Sequence, residues 1–419
     1  MALPLIVLLA ACEACDRPGG GEVGDLQNAA ALADGDPLKV WPAQDANKPV
    51  VLYVDRSQSM KGFLDPEYPT RVPTDYRAVL SGFEARLKPA QVFGFGNGVR
   101  EEKQGGLGVL GNARFYSDGN TEMEAVLQLV EMDSALGSTH VIIGDGRRTD
   151  PNAANEQFGQ MRNEAERWTA AGGTFLVAAS HAPFKPVKGD ASGCRGSASD
   201  AAADRETCPL YAFAFVAPGD QGRVTAALAA TFENLYVTPL PAILDTGVRL
   251  AATSRQDITL EPEWETSARG APIARVRGSV ATNQPLRAQI IVADTTSPLG
   301  RGALAALRGR QLVPQVSARQ LMDNPAASSW QASTGTGALL RLTDDPFAVD
   351  FITRGADAQR ILYRLELRPA GEPAWLDAYD AERAGDTQRT YGLGHLFEGF
   401  SARDTRSTPP VLRLYVVVS

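Results

Sequence analysis

Several residue types and patterns that mark common classes of protein are scarce or missing in this chain of 419 residues. It contains three histidines and four cysteines, and Cys194 and Cys208 do not have the CxxC spacing of a metal site. It also lacks a basic run interleaved with aromatic residues, which argues against a nucleic-acid partner. The apolar run from Leu3 to Ala11 is too short to cross a bilayer as a helix.

Motifs of common enzymes are missing as well. The chain has no G-x-S-x-G elbow. The glycine-rich stretch Phe93 to Gly98 lacks the Lys and Ser/Thr that follow in a phosphate-binding loop. His140 starts a predicted buried strand, away from its carboxyl end, so His181 is the only plausible base. We therefore predict that the chain is not an enzyme, and a hydrolase is a disfavoured alternative.

What the chain does contain is an ordinary globular composition. Hydrophobic residues make up 44% and charged residues 21%, as in typical folded domains. A length of 419 residues exceeds one ordinary domain and predicts two or three. The formal net charge of -8 suits the attraction of cations, although weakly as an indication.

The N-terminus resembles a bacterial lipoprotein signal. Leu9-Ala10-Ala11-Cys12 matches the lipobox, in which the cysteine is acylated and becomes the first residue. We predict a signal peptide at residues 1–11, lipidation of Cys12 and a flexible tether over residues 12–46. The chain is then a lipid-anchored protein of the bacterial cell envelope, periplasmic or surface-exposed. An ordinary signal peptide is the alternative.

Two cysteines favour an oxidising compartment. Cys194 and Cys208 flank a polar loop rich in Gly, Ala and Ser. A disulfide between them would stabilise the fold by about 3 kcal/mol in the chain-entropy model. Export makes this bridge the favoured prediction, and two free buried thiols are the alternative.

Strands and helices alternate over residues 47–238. Apolar runs predict strands at Pro49–Asp55, Ala90–Asn97, Thr139–Asp145, Thr174–Ser180 and Tyr211–Pro218. Helical spacing of apolar residues predicts helices at Thr74–Lys88, Thr121–Met132, Asn155–Gly173 and Arg223–Leu235. This alternation predicts an α/β fold, a doubly wound, mostly parallel, Rossmann-like sheet flanked by helices. Ligands bind such sheets beyond the carboxyl ends of the strands.

Polar residues follow two of the buried strands, and their pattern resembles a known family. Asp55, Ser57 and Ser59 form the D-x-S-x-S signature of von Willebrand factor type A domains. Thr121, before a predicted helix, and Asp145, at the end of a predicted strand, match the family's threonine and second aspartate. The resemblance implies that the domain over residues 47–238 builds a metal-ion-dependent adhesion site from these five residues.

The chemistry of the five residues supports the same interpretation. Mg2+ prefers about six oxygen ligands and gives up its waters reluctantly. Two carboxylates and three hydroxyls suit Mg2+, or Mn2+ or Ca2+, and leave a position for an Asp or Glu of a protein partner. Each residue also has a local alternative: Thr121 with Glu124 forms a capping-box pattern, Asp145 with Gly146 a turn pair, and Asp55 a turn cap.

Residues 248–419 show a different sequence pattern, in which predicted strands no longer alternate with predicted helices. Strand-like runs occur at Ala274–Thr282, Leu286–Asp294, Ala338–Asp345, Arg360–Pro369 and Val411–Ser419, separated by Gly, Pro, Asp and Ser. They predict a β-rich, sandwich-like domain. Taken together, the sequence predicts an envelope lipoprotein that binds a protein partner through a divalent cation. A metal-independent structural or assembly factor of the envelope is the alternative.

Overall fold

A computed structural model describes the folded parts of the chain. The described residues are 46–64, 75–102, 106–148, 150–185, 207–240, 249–251, 265–266, 272–276, 286–289, 310–320, 331–332, 338–342, 348–353, 361–373, 375–381, 389–401, 410 and 412–418. The predicted signal peptide, the lipidation site Cys12, almost all of the tether and Cys194 lie outside them.

The first folded region is built on a seven-stranded sheet. Its strands are β1 Val50–Asp55, β2 Gln91–Gly96, β3 Gly98–Glu101, β4 Thr139–Gly144, β5 Thr174–Pro183, β6 Thr207–Val216 and β7 Asn234–Thr238. Their order across the sheet is β3-β2-β1-β4-β6-β5-β7. The interior strand β1 is buried on both faces, as its uninterrupted apolar run predicts.

The sheet is mixed, so the prediction of a mostly parallel sheet is wrong. Strand β1 pairs in parallel with β2 and β4. The other four pairings are antiparallel. Strand β6 lies between β4 and β5 and pairs with β5 from Thr174 opposite Val216 to Pro183 opposite Thr207. No predicted helix separates β5 from β6, and parallel neighbours are usually joined by a helical crossover, so the absence of a predicted helix favours antiparallel pairing.

Helices cover both faces of this sheet. They are α1 Tyr76–Arg86, α2 Met123–Met132, α3 Pro151–Ala170 and α4 Gln221–Ala229, with 3-10 helices at Gln58–Phe63, Gly106–Gly111 and Ala113–Phe115. Helices α1 and α4 share a core with Val50, Leu52 and Val54 of β1. Helices α2 and α3 share the other core with Val51 and Tyr53. The alternation of β1 side chains therefore divides two hydrophobic layers, and the predicted α/β architecture is confirmed at this level.

The rest of the described chain is rich in strands, as predicted. The strands are β8 Arg249–Ala251, β9 Glu265–Thr266, β10 Pro272–Val276, β11 Leu286–Gln289, β12 Arg310–Gln320, β13 Gln331–Ala332, β14 Ala338–Leu342, β15 Ala348–Thr353, β16 Ile361–Pro373, β17 Asp380–Ala381, β18 Thr390–Tyr391 and β19 Leu412–Val418. One sheet has the order β13-β12-β16-β19-β10-β9 and a second the order β14-β15-β11-β8. The two sheets meet where Phe351 packs on Tyr363, with ring centroids 5.3 Å apart.

A segment between β16 and β19 packs against the first region. We call residues 375–381 and 389–401 the docking segment; it contains helices α5 Leu376–Tyr379 and α6 Gly394–Ser401 and the strand pair β17–β18. Phe400 stacks on Phe175 of β5, and Phe397 meets the edge of Tyr236 of β7. The C-terminal region thus completes the core on the α2 and α3 face of the seven-stranded sheet.

Two further observations concern the predicted export. Cys208 is buried in β6 and disulfide-bonded. The three other cysteines lie outside the described residues, so the pairing with Cys194 stays a prediction. Among the described helices, none combines the length and the apolar character needed to cross a membrane.

Candidate functional site

The two aspartates of the predicted site lie at the carboxyl ends of adjacent strands. Asp55 is the last residue of β1, and Asp145 directly follows β4. These strands are parallel, with Val54 opposite Ile143. Both carboxylates are at most 1% exposed. The backbone therefore brings two acidic side chains to one edge of the sheet and buries both.

Asp55 is held by groups from three segments. Its Oδ1 accepts a hydrogen bond from the backbone N–H of Ser57 at 2.7 Å. Its Oδ2 lies 3.4 Å from the hydroxyl of Thr121, which donates. A Cβ placed on Gly144 would lie 3.1 Å from the Cβ of Asp55. Glycine at position 144 therefore leaves room for the carboxylate, a role that the sequence pattern alone does not reveal.

The two serines face each other. The hydroxyl oxygens of Ser57 and Ser59 are 2.8 Å apart and hydrogen-bonded, and both residues are buried. Ser57 has extended backbone and immediately precedes the 3-10 helix Gln58–Phe63. The change from extended to helical backbone between the serines points both hydroxyls into one space.

Thr121 does not act as a helix cap. Helix α2 begins at Met123, and Glu122 precedes it without a capping hydrogen bond from its side chain. Glu124 instead pairs with Arg148 of the loop after β4. The capping-box alternative is therefore not realised, and the Thr121 hydroxyl is directed to Asp55.

Asp145 and Gly146 form the turn that is the alternative interpretation of this pair in the sequence. The Oδ1 of Asp145 accepts a hydrogen bond from the backbone N–H of Arg147 at 3.0 Å, a turn in which the side chain bonds to the backbone two residues on. Gly146 has a φ of +66°, in the left-handed region that favours glycine. The turn therefore orients the carboxylate as well as reversing the chain.

The loop before Thr121 lies beside the D-x-S-x-S loop. Ser57 and Asp118 form a parallel β-bridge, in which Gln58 N–H donates to Asp118 O and Asp118 N–H donates to Arg56 O, each at 3.1 Å. The Asp118 carboxylate also accepts from the N–H of Asn97. Sequence reasoning missed Asp118; its one local signal is the turn-forming stretch SDGN.

Arg56 holds these loops together. Its Nε donates to the carbonyl of Phe115 at 3.2 Å, and its guanidinium lies 4.9 Å from the centre of the Phe115 ring. It also forms ion pairs with Glu102 and Asp118. Arg56 is therefore a structural clamp beside the site, and only the fold reveals its partners.

Electrostatics distinguishes this site from an ordinary polar loop. Burial, together with the charge of Asp145, raises the pKa of Asp55 to about 8, although hydrogen bonds from Ser57 and Thr121 oppose the shift. The main causes of this shift include no positive charge. The two carboxylates therefore repel each other, and a cation between them would favour the charged form of both.

The donor set fits a hard divalent cation. Two carboxylates and three hydroxyls offer only oxygen, the ligand atom that Mg2+ and Ca2+ prefer. Among the described residues, no group of three or more His, Cys, Asp or Glu is arranged to hold a metal. A cation at this site would depend on the hydroxyls of Ser57, Ser59 and Thr121 for more than half of its protein ligands.

The docking segment contacts the outer side of the Asp145 turn. The Thr390 hydroxyl lies 3.4 Å from the carbonyl oxygen of Asp145 and donates to it. Tyr211 of β6 donates its own hydroxyl hydrogen to Thr390 Oγ1 at 2.9 Å. Arg147 Nη2 donates to the carbonyl of Arg389 at 3.3 Å. Burial raises the pKa of Tyr211 far above its usual range, so its hydroxyl remains a donor.

The three histidines have other partners. His140 lies between Tyr53 and Asp133, 3.2 Å from each. It is near the amino end of β4, whereas the candidate site is at the carboxyl end. His181 stacks on Tyr379 of the docking segment, and His395 pairs with Glu398. Within the described part of the chain, the hydroxyls of Ser57 and Ser59 bond to each other, and the Ser57 N–H donates to Asp55. That the chain is not an enzyme stays a prediction.

Comparison with protein-family models, curated proteins and solved structures finds no match to this chain. The resemblance to type A domains therefore rests on the five residues and on the strand ends that carry them. The mixed sheet, with β6 inserted between β4 and β5, departs from the mostly parallel sheet that the alternation of strands and helices predicts.

Proposed function

We propose that the chain is a lipid-anchored protein of the bacterial cell envelope that binds a protein partner through a divalent cation. The proposed ligands lie in a domain of the von Willebrand factor type A kind: Asp55, Ser57, Ser59, Thr121 and Asp145. Mg2+ is the proposed ion, with Mn2+ or Ca2+ as substitutes. Cys12 is the proposed lipid attachment site, and the C-terminal sheets form a sandwich-like accessory module.

The buried acid pair is the observation that carries this proposal. Asp55 and Asp145 leave adjacent parallel strands, and their repulsion contributes to a pKa of about 8 for Asp55. Burying two like charges is costly unless a counter-charge is present. A divalent cation supplies that charge, and the three hydroxyls supply further oxygen ligands without adding repulsion.

The proposed partner group follows from the ligand count. If all five side chains bind an octahedral ion, one of about six positions remains. The neutral hydroxyls leave the ion with net positive character relative to a site built from carboxylates alone. A carboxylate from an Asp or Glu of another protein is therefore the ligand that such a position attracts best.

A metal-independent assembly factor is the second candidate, and one observation favours it. The hydroxyls already bond within the chain, Ser57 to Ser59 at 2.8 Å and Thr121 to Asp55 at 3.4 Å. With a pKa of about 8, Asp55 is mostly protonated at pH 7 when no metal is bound. On this account the cluster stabilises the loops, and a partner binds elsewhere.

Calorimetric titration of Mg2+ into the purified protein tests the first candidate against the second. We expect saturable binding by the wild-type chain and none by Asp55→Ala or Asp55→Asn. Asp75→Ala is the matched control, because Asp75 caps helix α1 by accepting from Arg77 N–H and is not a proposed ligand. It should leave Mg2+ affinity unchanged.

Partner binding is tested by capture from an envelope extract with and without chelator. The proposal expects that chelator and Asp55→Ala remove the same captured protein. Equal Mg2+ affinity in wild type and Asp55→Ala would contradict the metal site. Capture that survives both treatments would favour the metal-independent candidate.

A further inference from the structure

One residue of the docking segment lies directly behind the Asp145 turn. Thr390 is 1% exposed and belongs to strand β18. It accepts a hydrogen bond from Tyr211 at 2.9 Å and donates its single hydroxyl hydrogen to the Asp145 carbonyl at 3.4 Å. The chain of donors runs in one direction, from β6 through Thr390 to the residue that carries the second carboxylate.

The same turn is held at a second point. Arg147 donates from its guanidinium to the carbonyl of Arg389, while its backbone N–H donates to the Asp145 carboxylate. Arg147 therefore links the docking segment and the proposed metal ligand through one residue. A displacement of Arg389 and Thr390 would act on both the backbone and the side chain of Asp145.

The docking segment is itself firmly packed. Trp375 meets the edge of the Phe397 ring, Tyr379 stacks on His181 of β5 at 4.4 Å, and Phe400 stacks on Phe175. Gly392 has a φ of +83°, and a Cβ there would lie 2.5 Å from Asn155 of helix α3. The position of Thr390 is thus determined by a core that the two regions share.

We propose that Thr390 is a positioning residue of the candidate metal site, through which the C-terminal region sets the orientation of Asp145 and so the affinity for the cation. This inference rests on the proposed function. Outer partners of metal ligands commonly change affinity 10- to 100-fold when they are removed. Because coupling between binding events is reciprocal, the cation in turn stabilises the docked position of the segment.

Three variants separate positioning from general packing. Thr390→Val keeps the shape of the side chain but removes the hydroxyl, and we expect about tenfold weaker Mg2+ binding. Thr390→Ser keeps the hydroxyl and should restore affinity to near the wild-type value. Tyr379→Phe is the matched control, because it removes a hydrogen bond from Asn234 to the same segment without touching Asp145. It should bind Mg2+ as the wild type does.

Hydrogen exchange in metal-free protein supplies a readout that does not depend on Mg2+. Thr390→Val should speed exchange of the Arg147 amide, and Thr390→Ser and Tyr379→Phe should not. Unchanged exchange at Arg147 in Thr390→Val would overturn the positioning role. In the wild type, Mg2+ should slow exchange of amides in residues 389–393, as reciprocity requires.

The two proposals fail in different ways. If wild-type protein binds Mg2+ and Thr390→Val binds it equally well, the inference is overturned and the proposed function stands. If wild-type protein binds no Mg2+, the proposed function is overturned, and the inference about cation affinity falls with it. Loss of affinity in Tyr379→Phe as large as in Thr390→Val would show that packing, not the Thr390 hydroxyl, governs the site.

Discussion

A fully buried aspartate lies near each end of strand β4, Asp220 at the amino end and Asp55 at the carboxyl end. The two aspartates have different charged neighbours. At the amino end, Asp220 forms an ion pair with Arg223, whose Nη2 lies 2.6 Å from it, and also lies within 3.4 Å of Thr139 Oγ1. At the carboxyl end, Asp55 meets hydroxyls, an amide and the second carboxylate of Asp145. Both aspartates are fully buried, but the charged neighbour of Asp220 is positive, whereas that of Asp55 is negative.

This difference shows how a structural acid is distinguished from a candidate ligand. A buried carboxylate must be paired, protonated or bound to a cation. The chain supplies its own cation for Asp220, so that acid secures the fold. At Asp55 the described chain supplies neutral donors and a like charge. An external cation is the partner that such a cluster can still accept.

The largest effect on stability is expected when Asp220 is replaced by alanine, and the comparison is with the same replacement at Asp55. Asp220→Ala leaves the guanidinium of Arg223 without its buried partner and should lower the free energy of unfolding by about 3–5 kcal/mol. Asp55→Ala should change it little, or raise it, in metal-free protein, because the free-energy cost of keeping Asp55 protonated beside Asp145 is removed. Urea unfolding in the presence of chelator measures both. Equal destabilisation by the two substitutions would contradict the distinction.

The pH dependence of stability sharpens the comparison. The pKa of Asp55 is about 8 in the folded protein and near 3.8 when unfolded. Between these values the folded state holds a proton that the unfolded state has lost, so a rise in pH lowers the free energy of unfolding. We expect a loss on the order of 3–4 kcal/mol from pH 5 to pH 8 without metal.

Thermal unfolding across this pH range provides the check. Asp55→Asn removes the titrating group, so its midpoint should vary less with pH than that of the wild type. Saturating Mg2+ should also flatten the wild-type curve. A wild-type curve in chelator that rises between pH 5 and pH 8 while that of Asp55→Asn stays level would count against a protonated Asp55.

A smaller effect is expected at the clamp beside the site. Arg56→Met keeps an unbranched apolar side chain but loses the hydrogen bond to Phe115 O and the ion pairs with Glu102 and Asp118. We expect a loss of about 1–2 kcal/mol of stability and severalfold weaker Mg2+ binding. Arg77→Met, on the exposed side of α1, is the matched control and should change neither.

The smallest effect is expected for a single hydroxyl. Water can replace a neutral ligand on Mg2+, so Ser57→Ala should weaken binding only severalfold, roughly 1 kcal/mol. The same should hold for Ser59→Ala. Asp145→Ala, like Asp55→Ala, should remove binding. Calorimetry on the four variants would contradict the proposed ligand roles if a serine variant lost as much affinity as an aspartate variant.

Much of the first region follows from local patterns. The four predicted helices are present, with ends displaced by up to six residues, and strand β7 begins at Asn234, inside the range predicted as the last helix. Helix α3 begins at Pro151, earlier than predicted, because Asp150 caps it by accepting from Asn152 N–H and proline suits the first helical position. These signals were present in the sequence as the stretch TDPN and were not used.

One long strand of the C-terminal region was not predicted. Strand β12 escaped prediction because it is polar and contains Pro314, which usually excludes a strand. In the structure Pro314 pairs with Leu367 of β16, and on the other side of β12 the described pairing with β13 involves only Ser317 and Ala318. Proline is tolerated there because, among the described residues, no strand pairs with that part of β12 on its second side.

The sequence by itself determined the buried strands and the polar residues at their ends, because periodic burial and the exit of a chain from a sheet are local properties. It therefore placed Asp55, Ser57, Ser59, Thr121 and Asp145 at candidate positions. Only the tertiary structure decided that β6 enters between β4 and β5, that Arg56 clamps the loops, and that Thr390 meets Asp145 across 245 residues of sequence. Contacts between remote segments depend on how whole layers pack, and no local pattern encodes that packing.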